Sequence, residues 1–209
     1  VGTPSEPVGL SVDGGIGGIV QITELMAPAS KLVAGIPVSG GASGARAGTL
    51  AMMVAAPEAL FARLEPLLLA MAKNARHVGT EPGQGMAMKL LNNFLSGMAM
   101  AATSEAMAFG AAQGLGMATI IDTISVSSGT NTAITDKFPN RILSESYDSG
   151  FATRLMTKDL RLYVDSCKKQ NSPHRLSETL LQHVWGRMFE DMPASDFTKI
   201  YPYTVEHSS

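Results

Sequence analysis

The sequence predicts an α/β part over residues 1–80 followed by an all-helical part over residues 81–209. Three observations carry that division. Short apolar runs flank one helical run between residues 49 and 79, the strand–helix–strand pattern of an α/β sheet. A greasy segment of helical spacing then extends from about Gly83 to Gln113. Beyond it, residues 114–209 read as helices separated by turns.

Each element has its own signal. "TLAMMVAA" (49–56) and "ARHVG" (75–79) are the two strand candidates. Between them Pro57 takes a first-turn position, and Leu60, Phe61, Leu64, Leu67, Leu68 and Met71 recur at helical spacing. The long helix stops at "GLG" (114–116). A second helix is expected over 117–126, ending in the turn "SSGTN", and a third over 131–138, stopping before Pro139. "RILSESYDSGF" (141–151) reads as loop. Helices follow over 153–170 and, after Pro173, over 174–191, and a last segment (196–206) is limited by Pro202.

Composition narrows the function classes. Hydrophobic residues make up 45% and charged residues only 16%, which points to much buried helix or a large subunit interface. The net charge of -2 and pI of about 6.1 give no reason to expect nucleic acid or an anionic membrane as partner. His77, His174, His183 and His207 are scattered and Cys167 is alone, so no metal-ligand spacing and no intrachain disulfide exist. A reducing compartment, cytoplasm or mitochondrial matrix, fits best. Cys167 has no His or Asn motif beside it and reads as an inert thiol, and the 13 Met residues read as core or dimer filler. No apolar run reaches the roughly 18 residues a membrane helix needs. "VGTPSEPVGL" lacks the regions of a signal peptide and an initiator Met, so the chain need not begin where translation does.

Two stretches stand out chemically. Within "GTEPGQGMAMKLLNNFLSGMAMAA" (79–102), Lys89, Asn92, Asn93 and Ser96 form a polar stripe on an apolar helix. Burying such groups without partners costs several kcal/mol, so the stripe faces a cleft or belongs to a satisfied core network. In "IPVSGGASGARAGTL" (36–50), four glycines with Ser39, Ser43 and Arg46 follow the strand end Ile36–Val38. Successive backbone N–H groups there can form an anion-binding nest, although most such loops are plain turns. "GGIGGIV" (14–20) lacks the G-x-G-x-x-G spacing and carries less.

Taken in order and spacing, "PVSGG…GARAGTL", G-x-G-x-x-x-K-x-x-N-N (Gly83 to Asn93) and "GF…L…KDL" (Gly150 to Leu160) resemble the β-hydroxyacid dehydrogenases. That family includes 3-hydroxyisobutyrate dehydrogenase and tartronate semialdehyde reductase. The resemblance runs from about Ile36 to the C-terminus. It implies a Rossmann-type NAD(P)-binding domain, here incomplete, joined by a long helix to an all-α, 6-phosphogluconate-dehydrogenase-like domain, with the active site at the junction. It also implies hydride transfer between NAD or NADP and a short 3-hydroxy acid, in a homodimer or homotetramer.

The same resemblance assigns residues. Ser39, Gly40 and Gly41 would hold the substrate carboxylate through backbone N–H groups, and Lys89 would be the catalytic acid/base. Asn93 would orient substrate and Lys89. Lys158 would lie near the nicotinamide with Phe151 packed beside it, and Pro4 would contact the cofactor. The chemistry suits these types, because hydride leaving a carbinol carbon needs the hydroxyl proton removed with it. A partly desolvated Lys can be tuned for that work.

The sequence also departs from the family. Residues 3–20 look like the family's segment after its fourth strand, usually Leu-Pro followed by a helix. "ELMAPAS" (24–30) stands where Ser-Thr-x-x-Pro is usual, with Glu24 and Leu25 replacing the hydroxyls. The helix and strand usual between Ala34 and Ile36 are missing, and so is the opening G-x-G-x-x-G turn. The expectation is a chain that lacks its first cofactor-binding half and binds a dinucleotide poorly as it stands. Two other readings remain open at this point: an imine reductase-like enzyme, against which Lys89 argues, and a non-catalytic helical oligomerisation module from an incomplete or degenerate paralogue.

Overall fold

A computed structural model describes residues 9–13, 19–24, 32–81 and 83–207. The chain forms two compact units, Val1–Lys89 and Leu90–Ser209.

Among its described residues the first unit holds one sheet, two complete helices and the start of a third. Its strands are β1 (Gly9–Asp13), β2 (Ile19–Glu24), β3 (Leu32–Ser39), β4 (Ala51–Ala55) and β5 (Asn74–Gly79). They lie side by side in sequence order. β1–β2, β2–β3 and β3–β4 pair antiparallel, and only β4–β5 is parallel. A parallel pair needs a crossover, which α2 (Glu58–Met71) supplies, so β4–α2–β5 is the expected α/β unit. Leu60, Leu64 and Leu68 share one face of α2 and are buried against Ala34, Ile36, Met52, Val54 and Ala75. Leu67 and Met71, expected on the same stripe, face outward at 42% and 41% exposure.

Two stretches of this unit differ from the sequence reading. Gly9–Asp13 is strand where the resemblance implies helix. Its Gly, Ser, Val and Asp are weak helix formers, and β2 supplies a ladder partner. The glycine-rich stretch is not loop throughout, since Gly41–Ala47 winds into the short helix α1. Gly40 (φ 123) and Gly41 (φ 60) make the turn from β3 into α1, a path that side chains with Cβ would strain.

The helix α3 (Gln84–Ala112) spans 29 residues, close to the expected bounds. It stops where Gly114 enters the left-handed region (φ 79) and Leu115 donates its N–H back to the Gly110 carbonyl (3.0 Å). α4 (Met117–Ser125) follows. The third expected helix does not end before Pro139. A π-helical segment, Ala133–Ile142, carries Pro139 in its interior. The Asn131 side chain starts it by accepting from the N–H groups of Ala133 (2.8 Å) and Ile134 (3.2 Å). Bonds of the i→i+5 kind, such as Leu143 N–H to the Phe138 carbonyl (2.8 Å), widen the coil and relieve the clash a proline ring makes in an α-helix.

α5 (Thr153–Lys169) lies as expected. The expected helix 174–191 is one continuous run made of α6 (Arg175–Leu180), a π turn (Leu181–Trp185) and α7 (Gly186–Asp191). A 3-10 turn, Phe197–Lys199, leads into α8 (Ile200–Glu206). Pro202 does not limit α8. It sits in the first turn, where its missing N–H has no helical partner to lose. The core of this unit is built on fully buried Trp185, Phe138, Ile134, Leu160 and Ile200, with Met100, Met107, Met156 and Met188 filling between them.

Candidate active site

Among the residues singled out in the sequence, Ser39, Gly40, Gly41 and Lys89 belong to the first unit, while Asn93, Phe151 and Lys158 belong to the second. Pro4 lies outside the described residues, as do Gly14–Gly18 and Leu25–Ser30 of the two N-terminal stretches.

In the first unit, Ser39 ends β3 half-buried, and Gly40 and Gly41 are exposed. The Gly40 carbonyl accepts from the Gly44 N–H (2.9 Å), which closes the first turn of α1. A Cβ on Gly40 would meet Leu50 Cδ2 at 3.2 Å. The turn is therefore tight, and its two glycines leave the backbone uncovered. The first turn of α3 packs closely here as well: a Cβ on Gly85 would stand 2.8 Å from the Met53 carbonyl and 2.9 Å from that of Gly35. One turn further along α3, Lys89 is buried at 8% exposure.

In the second unit, α3 and α5 come together along a line of matched contacts. A Cβ on Gly97 would stand 3.0 Å from Met156 Sδ, so glycine permits the close approach. Phe94 stacks on Tyr163 with ring centroids 4.6 Å apart. Trp185 donates its indole N–H to the Gly97 carbonyl (3.2 Å). The carbonyl of Trp185, in the π turn, lies 3.1 Å from the Thr157 hydroxyl. Those contacts fix how α5 lies along α3, and so what Lys158 and Asp159 can reach.

What they reach is a buried chain of polar groups. Asn93, 9% exposed, donates from Nδ2 to Asp159 Oδ2 at 2.6 Å. Asn92 in turn donates to Asn93 Oδ1 at 3.2 Å. The other carboxylate oxygen of Asp159 holds Lys158 Nζ at 2.9 Å. Neighbours in sequence do not ordinarily face each other on a helix, so the long Lys158 side chain bends back to make this pair. Asp159 is 3% exposed, and a carboxylate at that depth needs both partners. The polar stripe on α3 is thus in part a satisfied network: the amide of Asn93 and the ammonium of Lys158 share one buried carboxylate.

Phe151 precedes α5, half-buried. Its ring meets Phe197 edge-on with centroids 5.6 Å apart. Its N–H points to Asp196 Oδ2 (3.3 Å), and its carbonyl accepts from the Phe197 N–H (2.8 Å).

Sequence reading assigned no role to Asp159, although it is the middle residue of the quoted "KDL", nor to Asp196. Its place at i+3 from Met156, on the helix face that carries Met156, Leu160 and Val164, is the signal that marks the first of them. Nothing in the local pattern marks the second. Cys167 is buried, in keeping with an inert thiol. Among the described residues there is no cluster of three or more metal-ligating side chains. No helix among them is long and apolar enough to cross a membrane.

Comparison with known proteins gives these residues a context. Residues 83–204 match the family described as "NAD-binding of NADP-dependent 3-hydroxyisobutyrate dehydrogenase", and residues 19–79 match "NAD binding domain of 6-phosphogluconate dehydrogenase". The 2-(hydroxymethyl)glutarate dehydrogenase of Eubacterium barkeri is 42% identical over 163 residues, 76% of this chain and 54% of that protein. A 3-hydroxyisobutyrate dehydrogenase of Pseudomonas aeruginosa is 40% identical over 148 residues, 68% of this chain and 49% of that protein. The structure of Mycobacterium tuberculosis 3-hydroxyisobutyrate dehydrogenase with L-serine superposes with a TM-score of 0.75 at 29% identity, covering 81% of this chain and 60% of that one. The chain spans about half the length of the curated relatives it matches. With one family match covering residues 83–204 and containing Lys89, Asn93, Phe151, Lys158 and Asp159, the chain belongs to the β-hydroxyacid dehydrogenase family.

Proposed function

We propose that the full-length protein is an NAD(P)-dependent dehydrogenase that interconverts a short 3-hydroxy acid with its 3-oxo acid or semialdehyde. The observation that carries this reading is the buried Lys89, one turn from an Asn93 that is itself tied through Asp159 to Lys158. In this reading Lys89 takes the proton from the substrate hydroxyl during oxidation and returns it during reduction. Asn93 cannot turn freely, because its Nδ2 is committed to Asp159, so it presents a fixed amide to substrate and lysine. The Ser39–Gly41 turn holds the carboxylate on backbone N–H groups. That turn apart, residues 1–80 serve the cofactor, and residues 81–209 serve the substrate, the nicotinamide end and the subunit contacts.

NAD(P), when bound, supplies the hydride acceptor or donor. Its nicotinamide end suits two residues of this chain. The half-buried Phe151 ring offers an apolar face, and Lys158, with a 32% exposed side chain held on Asp159, offers a donor in a fixed place. Relatives named for 3-hydroxyisobutyrate, 2-(hydroxymethyl)glutarate and L-serine all act on acids bearing a hydroxyl on the third carbon. Those names support a substrate of the same class for this chain.

A homodimer or homotetramer is part of the proposal. Met88, Leu91 and Leu95 leave an apolar stripe on α3 that is 38–58% exposed, a surface suited to a subunit contact. A reducing location, cytoplasm or mitochondrial matrix, accompanies it. Relatives from rat and Dictyostelium are named as mitochondrial.

The test is a screen of short 3-hydroxy acids with NAD and NADP on the full-length protein, together with Lys89→Ala. Turnover of an acid but not of its methyl ester is expected. Lys89→Ala is expected to lower kcat by about 10²–10⁴-fold with little change in cofactor affinity. A variant keeping more than about a tenth of the wild-type kcat removes Lys89 from the acid/base role.

A further inference from the structure

We infer that Asp196 is a positioning residue for Phe151, the means by which the chain aims that ring at the nicotinamide; this rests on the function proposed above. Asp196 gathers five donors onto one carboxylate. Oδ2 accepts from the N–H groups of Gly150 (2.8 Å) and Phe151 (3.3 Å), and the Ser149 hydroxyl lies 2.8 and 2.9 Å from the two oxygens. Oδ1 also accepts from Thr198, through its N–H at 3.0 Å and its hydroxyl at 2.6 Å. One side chain therefore caps the turn that starts at Phe197 and latches the segment Ser149–Phe151, about 46 residues away in sequence.

The latched segment would not hold its shape unaided. The chain reaches it through Glu145 (φ 54), Tyr147 (φ 44) and Gly150 (φ 79), two non-glycine residues and one glycine in the left-handed region. Further contacts pin the approach: the Tyr147 N–H to the Arg141 carbonyl (3.1 Å), Arg141 Nε to Asp148 (3.3 Å), and Lys199 over the Tyr147 ring (5.9 Å). Such a backbone persists only where its surroundings over-determine it. Asp196 and its neighbour Phe197 do so at the residue that matters. Between them they bind both the N–H and the carbonyl of Phe151, and Phe197 braces its ring. Loss of the Asp196 charge leaves Phe197 in place but frees Gly150 to swing, and the ring with it.

The experiment compares binding of NADH and of ADP-ribose, which lacks the nicotinamide, to full-length wild type, Asp196→Asn and Phe151→Leu; if the enzyme uses NADPH, NADPH and the matching 2′-phosphorylated ADP-ribose are used. Asp196→Asn is expected to weaken the reduced cofactor about three- to tenfold and to leave ADP-ribose within about twofold, as Phe151→Leu does. Faster hydrogen exchange at the Gly150 and Phe151 amides accompanies the loss. Equal weakening of both ligands, or no weakening of either, overturns the assignment and leaves Asp196 as a fold-holding cap. Should Asp196→Asn fail to fold, Ser149→Ala, which removes one donor only, must show the same selective loss in smaller degree, and its absence counts against the assignment. A wild type that binds neither ligand sinks the proposed function itself, a result distinct from a wild type that binds both alongside an unaltered variant.

Discussion

Replacing Asp159 by alanine would expose how much the buried polar chain between α3 and α5 contributes. The substitution leaves Asn93 Nδ2, now bonded at 2.6 Å and 9% exposed, without its acceptor. A buried donor stripped of its partner costs about 1–3 kcal/mol. Lys158 loses its ion pair too, but its side chain is 32% exposed and water replaces the carboxylate, so that part is about 0–1 kcal/mol. The sum is about 1–4 kcal/mol of lost stability. Asp159→Asn keeps the volume and one acceptor oxygen for Asn93 and should cost only about 1 kcal/mol. Urea unfolding followed by fluorescence of Trp185, the only Trp of this chain and fully buried in the helical core, reads both. Asn93→Ala combined with Asp159→Ala should cost less than the sum of the two singles, by about 0.5–3 kcal/mol. An Asp159→Ala midpoint unchanged to within about 0.5 kcal/mol would refute the reasoning, because the pair would then contribute no more than a solvated one.

Further outcomes are expected elsewhere. Gly85→Ala should destabilise by about 1–3 kcal/mol despite alanine's better helix propensity, since its Cβ meets the Met53 and Gly35 carbonyls of the sheet rather than a yielding side chain. A raised melting temperature for that variant contradicts the packing described. Tyr203 donates to Asp191 at 2.6 Å, and burial first, then that bond to a carboxylate, pushes its phenol from 10.0 up to about 12. A raised folded value means this stabilisation is complete below pH 10 and is lost as pH rises from 10 toward 12. Tyr203→Phe should therefore cost about 1 kcal/mol at neutral pH and flatten the decline in melting temperature above pH 10. An unaltered slope in the phenylalanine variant would show that another group titrates there.

The elements legible in the sequence are those whose cause is local. Leucines at i, i+4 and i+8 wrote the buried face of α2, and the flanking apolar runs wrote β4 and β5. Gly114 ended α3 because only glycine takes its left-handed turn without strain. The family motifs, too, were readable, because they are short and contiguous. Lys89, Asn93, Phe151 and Lys158 could be named before any partner was known.

Tertiary structure decided the rest. The sequence places no constraint on whether β3 pairs antiparallel with β4, since a ladder partner is a distant backbone and not a side-chain pattern. Pro139 reads as a stop by local rules, yet a wide π coil carries the chain past it, with Phe138 and Ile142 seated in the helical core. Asp159 meets Asn93 across 66 residues, and Asp196 meets Gly150 across 46. A helix pattern can state that a carboxylate lies on the apolar face of a helix, but only packing selects which amide it satisfies. The chain by itself determined its long helices, its parallel unit and its chemical residue types. The tether on Asn93 and the latch on Phe151 were set by long-range contacts, whose free energy outweighs local preference once the core has formed.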